Sequence, residues 1–397
     1  MTTTAEHPEQ RIAREDQERW ARKGRETLES LPLPTALKDA ARASLDTPQF
    51  GPYHNEGLRM DSHLGAIIET AEAIERGTFN YESLGLPPDR ATEVRALLER
   101  VVRDHADDLR TYAYLHDLKK PDTMNVELAD GTQRVFTMAE WETLLADAGG
   151  DEERARAMCS ERGITKIGYR HTEELTGGEA KDHGPEGAAY VTSLAAADPE
   201  IAAFIADKQL ILTGVAAHEM HFQVFPSTNA AKQYREQIAA QFSPEEVDFI
   251  LTVNLLDIAG SKGPDGRSEY SGLRNMLEAR AAYEAIEAFR KEREAAGRPL
   301  RENELGNLLN LKGVDAVARK IAELAKPPEA TALAAEQLAA VEAKLPDWLR
   351  DLKVPEDQHE AVRAALQSDH YARALGALKL GKLTGVVKGF LARSASS

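Results

Sequence analysis

Apolar residues in the stretch from Asp61 to Arg76 fall at Leu64, Ile67, Ile68, Ala71 and Ile74, the three-and-four spacing of a helix with one buried face. His63 stands one turn before Ile67 on that face, so its imidazole is expected to point inward. A second helix is expected from Ala91 to Leu115, where Leu98, Val101, Val102, Leu109 and Tyr112 form the stripe and His116-Asp117 sits at its inner end. His105 shares the stripe, but eleven residues of helix place it about 16 Å from His116, too far to share a ligand, and it is read as structural. A third helix begins at Gly184-Pro185-Glu186, with Pro near the start and His183 at the entry. A fourth, Gln209 to Phe225, puts Ile211, Val215, His218 and Phe222 on one stripe, and a fifth, Pro244 to Ile258, does the same for Ile250, Val253 and Asp257. Five helical elements thus each deliver an imidazole or a carboxylate to an apolar face.

The remaining segments read differently. Residues 1–50 form a polar helical arm that ends in the Pro-punctuated run LPLPTALKDA and a loop, TPQFGPYHNEG. Residues 121–180 read as an insertion, with MNVELADGTQRVFT as a hairpin around Asp130-Gly131 and Thr137 to Glu140 as a capping box. Leaving from His116-Asp117 and returning just before His183, it is expected to cover the site, with Arg134, Lys166, Arg170, His171 and Lys181 as candidate phosphate contacts. Residues 296–397 are helical with Pro breaks and carry no candidate ligand cluster. The expectation is an all-α fold of three parts, 1–50, 51–295 and 296–397, with a small β-hairpin in the insertion.

Composition narrows the function. The chain of 397 residues is 42 % hydrophobic and 29 % charged, enough for a core with well-solvated helix faces. A net charge of −17 argues against a general basic surface for nucleic acid, while a small phosphorylated substrate in a local pocket remains allowed. From His370 to Ser397 the chain runs basic, with Arg373, Lys379, Lys382, Lys388 and Arg393 and no acid, which reads as a basic helical end. Cys159 is the single cysteine, so no internal disulfide forms and any metal is held by nitrogen and oxygen; a cytoplasmic setting is the expectation. No apolar run has signal-peptide or membrane-spanning character, so no membrane partner is expected, and a homo-oligomer is left open.

A single histidine on an apolar stripe is usually a core residue, but several in order, with an adjacent His-Asp pair, reverse that reading. Inward-facing Asp117 and Asp257 have no evident Arg or Lys partner in the sequence, and a buried carboxylate needs a counter-charge. One or two divalent ions, among Mn, Fe, Zn and Mg, meet the need. HEMH at His218 to His221 is not a zinc-protease helix, because that chemistry needs histidines four apart. Glu219 is read as peripheral, His221 as a residue near substrate, and Cys159, in a charged helix without a paired histidine, as no nucleophile.

The order His63, His116-Asp117, His183, His218, Asp257 resembles the H…HD…H…H…D signature of the HD superfamily of metal-dependent phosphohydrolases. Leu115 to Pro121 (LHDLKKP) is similar to that family's LHD-hydrophobic-G-K-P stretch, with Lys119 where Gly is usual, and His183 to Ala188 (HGPEGA) is similar to its H-x-x-x-G-A helix start. Within the superfamily the HD region of bacterial tRNA nucleotidyltransferases is the most similar: His54 to His63 (HNEGLRMDSH) resembles its H-P-E-G-D-V-x-x-H entry, and Leu256 to Gly260 resembles its acidic stretch. The resemblance covers residues 51–275. No nucleotidyl-transferring head of the G-G-x-x-R-D type is found, so tRNA end synthesis is not expected.

The resemblance implies that His63, His116, Asp117 and Asp257 hold one metal and that His183 and His218 hold a second, bridged by Asp117. Water made acidic by the metal is the implied nucleophile on phosphorus, with Asp117, Lys120 and His183 as catalytic residues. His54, Glu56, Lys120, His221, Lys262 and Arg267 are the implied substrate contacts. Hydrolysis of a nucleotide-like phosphate ester is the expected activity. A mixed-valent di-iron oxygenase and a non-catalytic nucleotide sensor are the alternatives.

Overall fold

The two helices of the N-terminal arm, α1 (Arg14–Ser30) and α2 (Thr35–Ser44), are built into the helical body. α1 lies along α3 (Met60–Glu75), and the approach is so close that a Cβ on Gly65 would sit 1.9 Å from Trp20 O. Only glycine fits there. In this computed structural model, residues 12, 14–220, 229–263, 265–325, 343, 345–347, 349–350 and 354–360 are described.

α3 is the central element, packed against α1, α4 (Pro88–Asp104), α5 (Ala106–Leu115) and α13 (Pro244–Gly260). The single helix expected over 91–115 is instead two helices, broken at His105, whose φ of −130° and ψ of 28° leave the helical region. The break turns the His105 ring edge-on to Phe249 and opens a new helix N-terminus with Asp107 and Asp108 in its first turn, where carboxylates are favoured. α5 then runs against α11 (Gln209–Ala217) and carries Leu115 to the centre of the molecule.

The insertion holds β1 (Asn125–Leu128) and β2 (Gln133–Val135), joined by a turn with Gly131 at φ 83°. It also holds α6 (Met138–Asp147), α7 (Glu152–Glu161) and β3 (Ile164–Gly168). The strands form an antiparallel sheet in the order β2-β1-β3, and the Thr137–Glu140 capping box is present. Trp141, Leu144, Cys159, Ile164 and Ile167 close a small core separate from the main one. Cys159 is a packing residue of that core. β4 (Arg170–His171) pairs with β5 (Lys181–Asp182) across the one-turn helix α8 (Glu173–Thr176), and β5 leads directly into α9 (His183–Ala197).

α9 packs on α10 (Pro199–Ile205) and α11, and α11 on α13, whose start is fixed by Pro244 at its first position and a Ser243–Glu246 capping box. α12 (Ala230–Tyr234) packs on α14 (Ser271–Ala295), followed by α15 (Glu302–Leu309) and α16 (Val314–Ala325). The chain divides into two compact units, Met1–Ala318 and Arg319–Ser397. The fold is all-α with a small antiparallel insertion. Among the described residues no helix is long and apolar enough to cross a membrane.

Candidate metal centre

His63 from α3, His116-Asp117 after α5, His183 at the start of α9, His218 after α11 and Asp257 from α13 meet in the interior of the first unit. The four imidazoles and Asp117 are at most 2 % exposed. Gly184 and Gly260 make the meeting sterically feasible. A Cβ on Gly260 would lie 3.0 Å from His63 Cε1, and one on Gly184 would lie 3.0 Å from His218 Cε1.

Asp117 stands between two pairs of histidines. Its Oδ2 lies 2.9 Å from His116 Nε2 and 3.8 Å from His63 Nε2, while its Oδ1 lies 3.3 Å from His183 Nε2 and 3.9 Å from His218 Nε2. Asp257 Oδ1 closes the first side, 3.1 Å from His63 Nε2 and 3.7 Å from His116 Nε2. Three of the histidines turn Nε2 inward because a carbonyl takes Nδ1: His116 donates to Ala113 O at 2.9 Å, His183 to Tyr169 O at 3.0 Å and His218 to Val215 O at 2.8 Å. This is the ring orientation that a metal-ligating imidazole needs.

The residues fit a divalent metal. His116 Nε2 and both Asp117 oxygens are buried without an aligned hydrogen-bond partner, so their lone pairs are open to a metal. His183 Nε2 and His218 Nε2 are 3.0 Å apart, a separation that requires a proton or a cation between two nitrogens. Two neighbouring ligands of one ion, each with a bond of about 2.1 Å, have much the same spacing. His63, His116 and Asp117 form one group able to hold a metal, Asp117, His183 and His218 a second, and Asp182, His183 and Glu219 a third that shares His183.

The electrostatics agree with this arrangement. Burial works against the Asp117 carboxylate, but the charges of His116 and Lys120 outweigh it and hold its pKa well below the usual range. Asp257 behaves likewise through its contacts with His116 and His63. Burial would lower His63, yet its hydrogen bond to Asp257 and its contact with Glu56 raise it to about 9. His116 and His183 are also raised, in spite of burial, by Asp117 and Glu219 respectively among others. Burial together with the charges of His183 and His116 depresses His218 to about 3. The carboxylates favour the protonated form of His63, His116 and His183, and a metal bound by these rings would compete with that proton.

Lys120 departs from the sequence expectation that Asp117 lacks a basic partner. Its Nζ lies 2.8 Å from Asp117 Oδ2 and 4.8 Å over the Tyr169 ring, with the side chain 6 % exposed. The two residues are only three apart in sequence, and the turn at Lys119 (φ −103°) folds Lys120 back onto the carboxylate. Glu56 is fully buried: its Oε1 is 3.2 Å from His54 Nδ1 and 3.5 Å from His63 Nδ1, and its Oε2 accepts from Lys262 N at 3.0 Å. Burial favours its neutral form, but the two histidines outweigh that and hold it at about 2.

Lys262 turns its ammonium to Ala259 O and Ser268 Oγ, and the Arg267 side chain is 86 % exposed beside Asp265. Within the insertion, Arg134 pairs with Glu140, Arg170 with Asp182, and His171 Nε2 with Met124 O. His221 and the basic stretch from His370 lie outside the described residues. Two contributors escaped sequence reasoning. Tyr169 acts through its carbonyl, which no side-chain pattern reports, and Glu219 Oε1 lies 3.9 Å from His183 Nε2, a position signalled only by its adjacency to His218.

The chain matches no known family model, no characterised protein and no solved structure. Fold and site geometry therefore carry the functional argument unaided.

Proposed function

We propose that this protein is a metal-dependent phosphohydrolase of the HD-domain type, acting on a small nucleotide-like phosphate ester with two divalent ions held about Asp117. The observation that carries the reading is the division of Asp117 between its oxygens, one facing His63 and His116 and the other facing His183 and His218. His63, His116, Asp117 and Asp257 would hold one ion; Asp117, His183 and His218 would hold the other. Divalent ions there supply Lewis acidity, easing deprotonation of water and neutralising phosphoryl oxygens.

The chain's own residues do the rest. Three carbonyls and Glu56 keep the imidazoles in one orientation. Lys120, its ammonium beside Asp117 and over the Tyr169 ring, would offer a positive charge to a phosphoryl oxygen. His54 is tied to Glu56 through Nδ1, which leaves Nε2 for a substrate oxygen. The acidic chain favours a small substrate over extended nucleic acid.

The test is a panel of nucleoside mono-, di- and cyclic phosphates assayed with the metal-stripped protein and after adding Mn, Mg, Zn or Fe. Phosphate release that requires added metal and is lost in His116→Ala is expected. An iron pair with an EPR signal on partial oxidation, and no phosphate release, would favour the oxygenase, for which the same six donors are suited.

A further inference from the structure

Among the four site histidines, three rest Nδ1 on a main-chain carbonyl, whereas His63 Nδ1, buried and without an aligned partner, faces the Oε1 of Glu56 at 3.5 Å. A carboxylate behind an imidazole makes the far nitrogen a stronger donor than a carbonyl does, because it stabilises the positive charge that builds on the ring as the ligand bond forms. Glu56 is firmly built in. Its Oε2 accepts from Lys262 N at the end of α13, the helix that carries Asp257. Its loop is further tied by Asn55 N donating to Lys262 O at 3.0 Å, Gln17 Nε2 donating to Asn55 O at 3.1 Å, and Arg156 Nη2 donating to His54 O at 3.1 Å. With 0 % exposure and both oxygens engaged, Glu56 has no surface for a substrate.

We infer that Glu56 is a positioning residue that makes the two metal positions unequal, so that the pocket of His63, His116 and Asp257 binds a divalent cation more tightly, and fills before, the pocket of His183 and His218. The inference rests on the metal-centre reading and adds an order of loading to it. It also moves Glu56 from the substrate contacts expected of it to a role behind a ligand. In the second pocket Asp182 Oδ1 also lies 3.5 Å from His183 Nδ1, but that nitrogen donates to Tyr169 O at 3.0 Å and His218 Nδ1 donates to Val215 O at 2.8 Å, so the carbonyls take both protons and Glu56 alone faces an Nδ1 that no carbonyl takes.

The test is calorimetric titration of the metal-stripped full chain with Co2+, with the visible absorption of the bound ion followed in parallel. The wild type should show two classes of site. Glu56→Gln, which keeps the shape and removes the charge, should weaken the tighter class about 10–100-fold and leave the weaker class in place. His63→Ala should abolish that same tighter class, and His218→Ala the weaker. Unfolding in chelator reports whether Glu56→Gln folds; if it does not, Glu56→Asp carries the test, with a smaller loss in the same class expected. Two equal classes in the wild type, or an unchanged tighter class in a folded Glu56 variant, would overturn the inference. No Co2+ bound by the wild type would overturn the metal centre itself.

Discussion

Lys120 Nζ lies 2.8 Å from Asp117 Oδ2 inside the histidine cluster, with both side chains almost wholly buried. In the metal-free chain this ammonium is a counter-charge for the central carboxylate. Lys120→Met should therefore cost the metal-stripped protein about 3–5 kcal/mol, because removing one partner leaves a buried charge exposed to its desolvation cost. Urea unfolding with and without chelator measures it. Metal should restore most of the loss, and an unchanged midpoint in chelator would remove Lys120 from this role.

The imidazole of His63 is raised from an ordinary 6.5 to about 9 in the folded chain. A raised histidine stabilises the fold fully below its unfolded pKa and stops doing so as pH rises through the folded one. The metal-stripped protein should thus lose stability between pH 6.5 and 9, on the order of 3 kcal/mol from this group. Metal binding runs the other way, tightening over the same range as fewer protons have to be displaced. Thermal unfolding in chelator across this range gives the first slope and metal titration the second; a flat first slope would contradict the assignment.

Gly260 is the wall behind His63. A Cβ there would stand 2.5 Å from Ile67 Cγ1 and 3.0 Å from His63 Cε1. Gly260→Ala should cost about 1–3 kcal/mol through overpacking and should also weaken metal binding, since the ring yields before the helix does. Equilibrium unfolding and metal affinity measured on one preparation separate the two effects.

The insertion has its own core, in which Trp141 is 5 % exposed. Trp141→Ala should cost about 3–5 kcal/mol there. Hydrogen exchange should show the loss confined to residues 124–169, apart from His183, whose Nδ1 depends on the Tyr169 carbonyl. Uniform loss of protection over the whole first unit would mean that the two cores fold as one.

Much of this centre was legible in helical spacing. Each candidate ligand lies on or beside an apolar stripe, and a stripe tells which way a side chain points along its helix. What spacing cannot report is any contact made by backbone or across distant segments. The Tyr169 carbonyl behind His183 and the burial of Glu56 between two histidines depend on how distant segments pack, whereas the pairing of Lys120 with Asp117 is a local contact between residues three apart. The expectation that Lys262 faces substrate came from its place after Asp257, but its ammonium is taken up by Ala259 O and Ser268 Oγ.

Metal content per chain, measured by mass spectrometry of the purified protein after exposure to Mn, Fe or Zn, tests the central claim most directly. Two ions per chain are expected in the wild type and none in Asp117→Ala, with the variant still folded. A folded wild type that retains no divalent metal, or an Asp117→Ala chain that retains both ions, would contradict the account.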